Sequence, residues 1–251
     1  MLKQNSLENQ VAVVTGGGGG IGSVICQYLA EAGASVVLTY HQSVEKTQAV
    51  ADSLAGDNHL VVQAPVDDSA ALAQLAEQIQ AHYARLDILV NNAGITRPVA
   101  HDDLDSLDDT LIDDIFRTNW RGAFASIRAF KNLLMADDGG LIINISSIAA
   151  RTAVGSNVAY CASKAAMDSM TMSLARALAP KIRVVSVSPG WVEGDYAKKM
   201  PPEILDEQRQ KTPLHRIAQP EDVADAVIAV ATQLTFSTGC IIPVDGGRPL
   251  T

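Results

Sequence analysis

Val11-Ala12-Val13-Val14 runs directly into Thr15-Gly16-Gly17-Gly18-Gly19-Gly20-Ile21-Gly22, and a helical spacing of apolar residues continues through Ala34. Strand, glycine-rich turn, helix is an order that leaves few folds open. A strand that feeds a helix rejoins its sheet as a parallel neighbour. The rest of the chain supports this reading. Short Val/Ile/Leu runs near 11–15, 35–39, 59–64, 87–90, 140–146, 182–188 and 239–243 alternate with helical patterns near 20–33, 44–55, 69–84, 106–136, 158–179 and 221–233. Continuous apolar strands, rather than strictly alternating ones, need cover on both faces.

The predicted fold is α/β: a doubly wound (Rossmann) parallel sheet of about seven strands with helices on both faces. The sequence has no repeat, Pro/Ser-rich linker or break in composition. With 47% hydrophobic residues it can fill one sizeable core, so a single domain over 1–251 is expected. Residues 190–219 form a long excursion before the last helix, with Trp191, Tyr196, Met200, Pro201, Pro202 and Leu214, and read as a substrate lid. Asp102 to Asp114 is rich in aspartate and lacks basic residues, which fits a solvated loop entering a helix.

A net charge of −9 argues against nucleic acid as a partner. There is no apolar stretch of signal-peptide or membrane-spanning length, so no membrane association and a cytoplasmic location are expected. Cys26, Cys161 and Cys240 are odd in number and scattered, which points to reduced thiols. The five histidines lack metal-ligand spacing, and no metal is predicted.

The chemistry concentrates at Tyr160 and Lys164, whose i,i+4 spacing sets a phenol beside an ammonium on one helix face. A nearby cation favours phenolate, bringing a group that titrates near pH ~10 towards neutrality. Ser147 lies thirteen residues before Tyr160, at the end of the apolar run Leu141-Ile142-Ile143-Asn144-Ile145-Ser146. In the first turn, glycines let backbone approach a pyrophosphate, and the amides at the helix start attract its charge.

On these residues the chain resembles the short-chain dehydrogenase/reductase family over essentially its whole length, closest in pattern to the 3-oxoacyl-thioester reductase branch. Thr15-Gly16-x-x-x-Gly20-Ile21-Gly22 looks like the family's cofactor turn, and Asn91-Asn92-Ala93-Gly94 like its sheet-stabilising motif. The resemblance implies a catalytic group of Asn119, Ser147, Tyr160 and Lys164. It also implies cofactor contacts from Thr15, Gly16, Gly20, Ile21, Gly22, Tyr40, His41, Val66, Asn92, Ala93, Gly94, Pro189, Gly190 and Val192, with Tyr160 and Lys164 shared by both sets. The implied reaction moves a hydride between a nicotinamide cofactor and a small carbonyl/alcohol substrate. Tyr160 gives the proton, Lys164 lowers the phenol's pKa and binds the nicotinamide ribose, and Ser147 holds the substrate oxygen. Asn119 holds a water that links Lys164 to solvent.

Three positions depart from the family pattern: Gly194 stands where a Thr usually binds the carboxamide, Pro65 where an Asp usually lies near the adenine, and Gly19 where many NADP-dependent members carry a basic residue. The second strand ends Thr39-Tyr40-His41-Gln42-Ser43, without the acidic residue that holds a ribose 2′-hydroxyl, so NADP is preferred to NAD. His41 and Lys46 are the nearest cations. A 3-oxoacyl thioester is the leading substrate class, and the alternatives are a sugar or polyol dehydrogenase or a catalytically silent nucleotide-binding scaffold. Asp137-Asp138 occupies a segment where reductases of carrier-bound acyl groups tend to be basic, which disfavours an acidic carrier protein.

The helix near 158–179 carries only Lys164, Asp168 and Arg176 as charged residues, too few for one buried face and one solvated face. The helix near 117–136 adds Trp120, Phe124, Ile127, Phe130 and Leu134. In the resembling family the matching helices pair across two-fold axes, and a homotetramer through these two helices is expected.

Overall fold

The computed structural model describes residues 6–136, 138–194 and 197–250. Asp137 and Tyr196, singled out above, lie outside them. Seven parallel strands form one sheet: β1 (Val11–Val14), β2 (Ser35–Tyr40), β3 (Leu60–Gln63), β4 (Ile88–Asn91), β5 (Gly140–Ile145), β6 (Ile182–Pro189) and β7 (Ile241–Val244). Their spatial order is β3-β2-β1-β4-β5-β6-β7. The chain winds outward from β1 in one direction, then returns to β4 on its other side and winds the opposite way. This reversal opens a crevice at the carboxyl ends of β1 and β4.

Side-chain alternation divides the core into two layers. Ala12, Val14, Leu38, Val90, Ile143 and Val187 point to one face, where α1 (Gly20–Glu31) and α9 (Pro220–Thr232) cover them with Ile25, Leu29, Val223 and Val227. Val11, Val13, Val37, Leu89, Ile142 and Val184 point to the other face. There α3 (Ser69–Tyr83), α5 (Ala123–Leu134) and α7 (Val158–Leu178) bring Leu72, Leu75, Ile79, Phe130, Leu134 and Met167. Each fully buried Leu, Ile or Phe contributes roughly 1.5–3 kcal/mol of transfer free energy.

Under the crevice the apolar layer gives way to a polar chain. Asn91 Nδ2 donates to Asn144 Oδ1 (2.8 Å), Asn144 Nδ2 donates to Thr171 Oγ1 (2.8 Å), and the hydroxyls of Thr171 and Ser186 share a 2.8 Å bond. These buried groups tie β4, β5, β6 and α7 together at the depth where the site begins.

The helix expected over 106–136 is divided. Residues 101–108 are a solvated turn, Asp108 caps α4 (Asp109–Phe116) by accepting from Leu111 N at 2.8 Å, and a π-helical turn, Arg117–Gly122, separates α4 from α5. The wider turn places Asn119 in the interior with no exposure. At its end, a Cβ on Gly122 would lie 2.6 Å from Val66 Cγ2, so the helix packs directly on the loop after β3.

Two further helices were not expected: a short α6 (Ala149–Thr152) behind Ser147, and α8 (Pro202–Gln210) inside the 190–219 excursion. The excursion is pinched at its base, where Ala218 N donates to Trp191 O and Glu193 N donates to Ala218 O, each at 2.8 Å. Between these bonds α8 buries none of its residues.

Candidate active site

A cleft of about 1240 Å³ runs across the carboxyl ends of the strands. One end is lined by the glycine turn, Tyr40, His41 and Val66, and the other by Ser147, Tyr160, Trp191 and the excursion.

At the glycine-turn end, close contacts leave no room for a side chain at several positions. Gly16 has φ +68°, and a Cβ on Gly22 would fall 2.4 Å from Gly16 O and 2.5 Å from Asn92 Nδ2. That amide nitrogen donates to Thr15 O (3.0 Å) and Gly16 O (3.2 Å), while Thr15 Oγ1 accepts from Asn92 N (3.0 Å) and Ala93 N (3.1 Å). Thr15 and Gly22 thus lie behind the cleft wall and lock the β1 turn to the β4 turn. Gly16, Gly20, Ile21, Asn92, Ala93 and Gly94 form the lining itself. Gly19, the N-cap of α1, has no side chain to bond the first amides of the helix. Uncapped amides with the positive end of the helix dipole suit a pyrophosphate.

At the opposite end, Tyr160 and Lys164 sit one turn apart on α7, with the Lys164 ammonium 5.8 Å from the Tyr160 ring centroid. Lys164 is 4% exposed and donates from Nζ to Ile145 O at 2.7 Å. Burial drives its pKa down from 10.5 to about 8, and the Asp168 carboxylate one turn further on acts in the opposite direction. Asp168 is itself held above the usual carboxylate range, mainly by burial, with Ser146, Ser186, Lys164 and Arg151 opposing. Ser147 Oγ lies at the end of β5 and accepts from Ala149 N at 3.2 Å, which leaves its own proton free to face the cleft.

Asn119 stands behind this group. Its Oδ1 accepts from Ile95 N (2.8 Å), and its Nδ2 donates to Ile95 O (3.0 Å) and Ser163 Oγ (3.2 Å). The side chain is therefore engaged in fastening the loop after Gly94 to α7. A Cβ on Gly94 would come within 3.2 Å of Asn119 Oδ1 and 3.8 Å of Lys164 Nζ.

Pro189, at the end of β6, lines the cleft with Gly190 and Val192 just beyond it, and Gly194 lies in open space, with nothing within 4 Å of an added Cβ. Pro65 also lines the cleft, beside Val66. The fold therefore gathers residues from seven separate stretches of chain at one cleft, with Thr15, Gly22 and Asn119 in its supporting wall.

Two residues support the site in ways not read from the sequence. Asn157 has no exposure and caps α7, accepting from Tyr160 N at 2.7 Å and donating to Arg97 O at 2.8 Å. An Asn three residues before Tyr160 is an N-cap signal that could have revealed it. Asp168 continues the Tyr160–Lys164 stripe by another four residues, a spacing also present in the sequence. Among the described residues, no group of three or more His, Cys, Asp or Glu side chains could hold a metal ion, and no helix is long and apolar enough to cross a membrane.

Comparison with known proteins agrees with this geometry. A family model described as enoyl-(acyl carrier protein) reductase matches residues 16–248. The chain is 36% identical over 245 residues to a Streptomyces violaceoruber protein named as ketoacyl reductase 2 of the granaticin polyketide synthase, covering 97% of each. It is 33% identical over 240 residues to the 3-oxoacyl-(acyl-carrier-protein) reductase of Staphylococcus aureus, covering 94% of this chain and 96% of that one. The crystal structure of a Brucella melitensis short-chain dehydrogenase/reductase, described as a glucose/ribitol dehydrogenase, superposes with a TM-score of 0.90 at 30% identity, covering 98% of this chain and 99% of that one. Sequence similarity over nearly the full length and a backbone that superposes over nearly the whole chain lead to one assignment: the chain belongs to the short-chain dehydrogenase/reductase family, oxidoreductases that work with NAD(H) or NADP(H).

Proposed function

We propose that this protein reduces a small carbonyl substrate with NADPH, or runs the reverse oxidation, and that the leading substrate class is a 3-oxoacyl thioester. The observation that carries this reading is the convergence of Ser147, Tyr160 and Lys164 on the cleft that also holds the glycine turn. The nicotinamide, when bound, supplies the hydride. As charge builds on the substrate oxygen, Tyr160 donates its phenolic proton and Ser147 donates a hydrogen bond to the same oxygen. Lys164, buried yet still protonated at neutral pH, projects a poorly screened positive charge towards the phenol and favours the phenolate that remains. Asn157 fixes the helix turn that carries the phenol.

Relatives named for ketoacyl and 3-oxoacyl reduction support the thioester reading, as do the apolar surfaces that Val154, Trp191 and Pro249 present to the cleft. The net charge of −9 and the exposed Asp138 favour a small thioester over one carried on an acidic protein. For the cofactor, Tyr40 and His41 occupy the end of β2 without a carboxylate, which favours NADP over NAD.

In the same reading the chain is one domain, residues 190–219 act as the lid over the substrate, and four copies assemble. Three cysteines outside disulfides fit a cytoplasmic setting.

The test is to follow cofactor absorbance with NADPH against a panel of 3-oxoacyl thioesters, ketoses and polyols, with wild type beside Tyr160→Phe. Wild type should turn over the thioesters fastest, and Tyr160→Phe should still bind NADPH while losing on the order of a hundredfold in turnover. Faster turnover of sugars would move the enzyme to the polyol class. Undiminished turnover by Tyr160→Phe would remove the phenol from the mechanism.

A further inference from the structure

The glycine turn and the helix after β2 meet more closely than either the motif or its spacing implies. That helix, α2 (Val44–Asp52), lays its first turn directly on the turn. A Cβ on Gly18 would lie 2.1 Å from Thr47 Oγ1, and Thr47 is buried beneath it. A Cβ on Gly19 would lie 2.7 Å from Lys46 Nζ, 3.1 Å from its Cε and 3.9 Å from its Cδ. The Lys46 side chain therefore passes through the space that a residue-19 side chain would fill. Its ammonium ends where such a side chain would begin.

Nothing in the backbone at position 19 calls for glycine. Its φ of −170° and ψ of 167° are extended values that any residue adopts. What occupies the side-chain space at this position is the lysine that crosses it. Gly19, Tyr40 and His41 line the same end of the cleft, where the end of β2 meets an adenosine ribose in this fold. A cation over Gly19 thus faces the ribose edge on which NADP carries its extra phosphate.

We infer that Lys46 is the residue that selects NADPH here: it reaches from α2 over Gly19 to pair with the 2′-phosphate, in place of a basic side chain borne by the turn itself. The inference rests on the NADP reading above and adds the residue responsible for it. An ammonium is a point charge rather than a planar fork, so it contributes charge without bidentate geometry. A charge-assisted contact of this kind accounts for roughly tenfold or more in affinity.

The experiment measures binding by calorimetry, with no turnover required, using 2′,5′-ADP and 5′-AMP as probes of the 2′-phosphate, and NADPH and NADH as the full cofactors. Lys46 is exposed, so Lys46→Met should fold as wild type does, with an unchanged circular dichroism spectrum. Wild type should bind 2′,5′-ADP at least tenfold tighter than 5′-AMP. Lys46→Met should lose that difference without weakening 5′-AMP or NADH, and Lys46→Arg should keep it. Gly19→Arg in the Lys46→Met background should restore it, since the vacated space then accepts a cation from the turn. If wild type discriminates but Lys46→Met discriminates equally well, Lys46 is not the selector and the NADP reading stands without it. If wild type does not distinguish the two probes, the NADP reading fails and this inference fails with it.

Discussion

Lys164 shows most clearly how this site sets function against stability at a single residue. Its ammonium is removed from water, bonded to one carbonyl, and left with a folded-state pKa of about 8 against 10.5 for the free side chain. Between those values the unfolded chain holds a proton that the folded chain has released. More protons bound in the unfolded state mean that stability rises with pH across that interval. Below pH ~8 both states are protonated, and the folded protein bears the full cost of burying the charge, on the order of 3 kcal/mol. Lys164→Met removes the charge and also the bond to Ile145 O, a loss that does not vary with pH. Urea unfolding of the cofactor-free protein at pH 7 and pH 9.5 should therefore show wild type gaining on Lys164→Met as the pH rises. A stability difference that stays flat over that range would mean the lysine is not buried as a cation. Tyr160 and Lys164 were legible as neighbours in the sequence because helix periodicity sets them on one face. The crossing of Lys46 over Gly19 was not legible, because it depends on how α2 settles on a turn twenty-seven residues earlier.

Strands were the most legible elements, since buried runs such as Val11–Val14 and Ile88–Asn91 sit between turn residues and helical patterns on either side. Helices were legible where one face enters the core and obscure where it does not. α8 buries no residue, and its opening Pro201-Pro202 reads as a loop signal, although proline also suits the first turn of a helix. The π-helical turn at Arg117–Gly122 has no periodicity of its own, and only its contact with Ile95 and Ser163 makes sense of it. α7 shows what an element's end can do for a site. Asn157 accepts from Tyr160 N and donates to Arg97 O and to Thr96 Oγ1 (3.3 Å), so one buried amide both starts the helix and fastens it to the loop after β4. Asn157→Ala should lose the cap and leave Arg97 O without its donor, costing about 2 kcal/mol in urea unfolding. Turnover should fall with little change in substrate KM, because the first turn carries the phenol. Asn157→Ser keeps a cap acceptor without burying a charge and should recover part of the stability. An unfolding midpoint in Asn157→Ala equal to that of wild type would show that α7 holds its start by packing alone.

At the scale of the whole molecule, burial sorts the two helices expected to assemble into an inner and an outer set. Ile127, Phe130 and Leu134 of α5 face the core, and Met170 of α7 is only 6% exposed, so these residues are committed within one chain. A charge at Met170 would damage the fold before it reported on assembly. What remains outside is Phe124, stacked parallel on Trp120 with ring centroids 6.0 Å apart, together with Met172, Val158 and the small residues Ala162, Ala165 and Ser169. Phe124 is 37% exposed, Val158 45% and Met172 46%; the outer face of α7 carries Arg176 as its one exposed charge, while α5 also exposes Arg128 and Lys131. A large apolar group left in water gains by meeting another, and small residues around it let a second helix approach closely. Symmetric pairing of α5 and α7 across a two-fold axis would cover both, and a second axis would complete a tetramer. Met172→Glu and Ser169→Glu each place a carboxylate on this outer face without touching the core, and symmetry would set each charge near its own copy. Sedimentation at micromolar concentration should show wild type as a tetramer and either variant as smaller species with an unchanged circular dichroism spectrum. A wild-type protein that sediments as an active monomer would mean that the stacked Trp120 and Phe124 are covered by something other than a second copy of this chain.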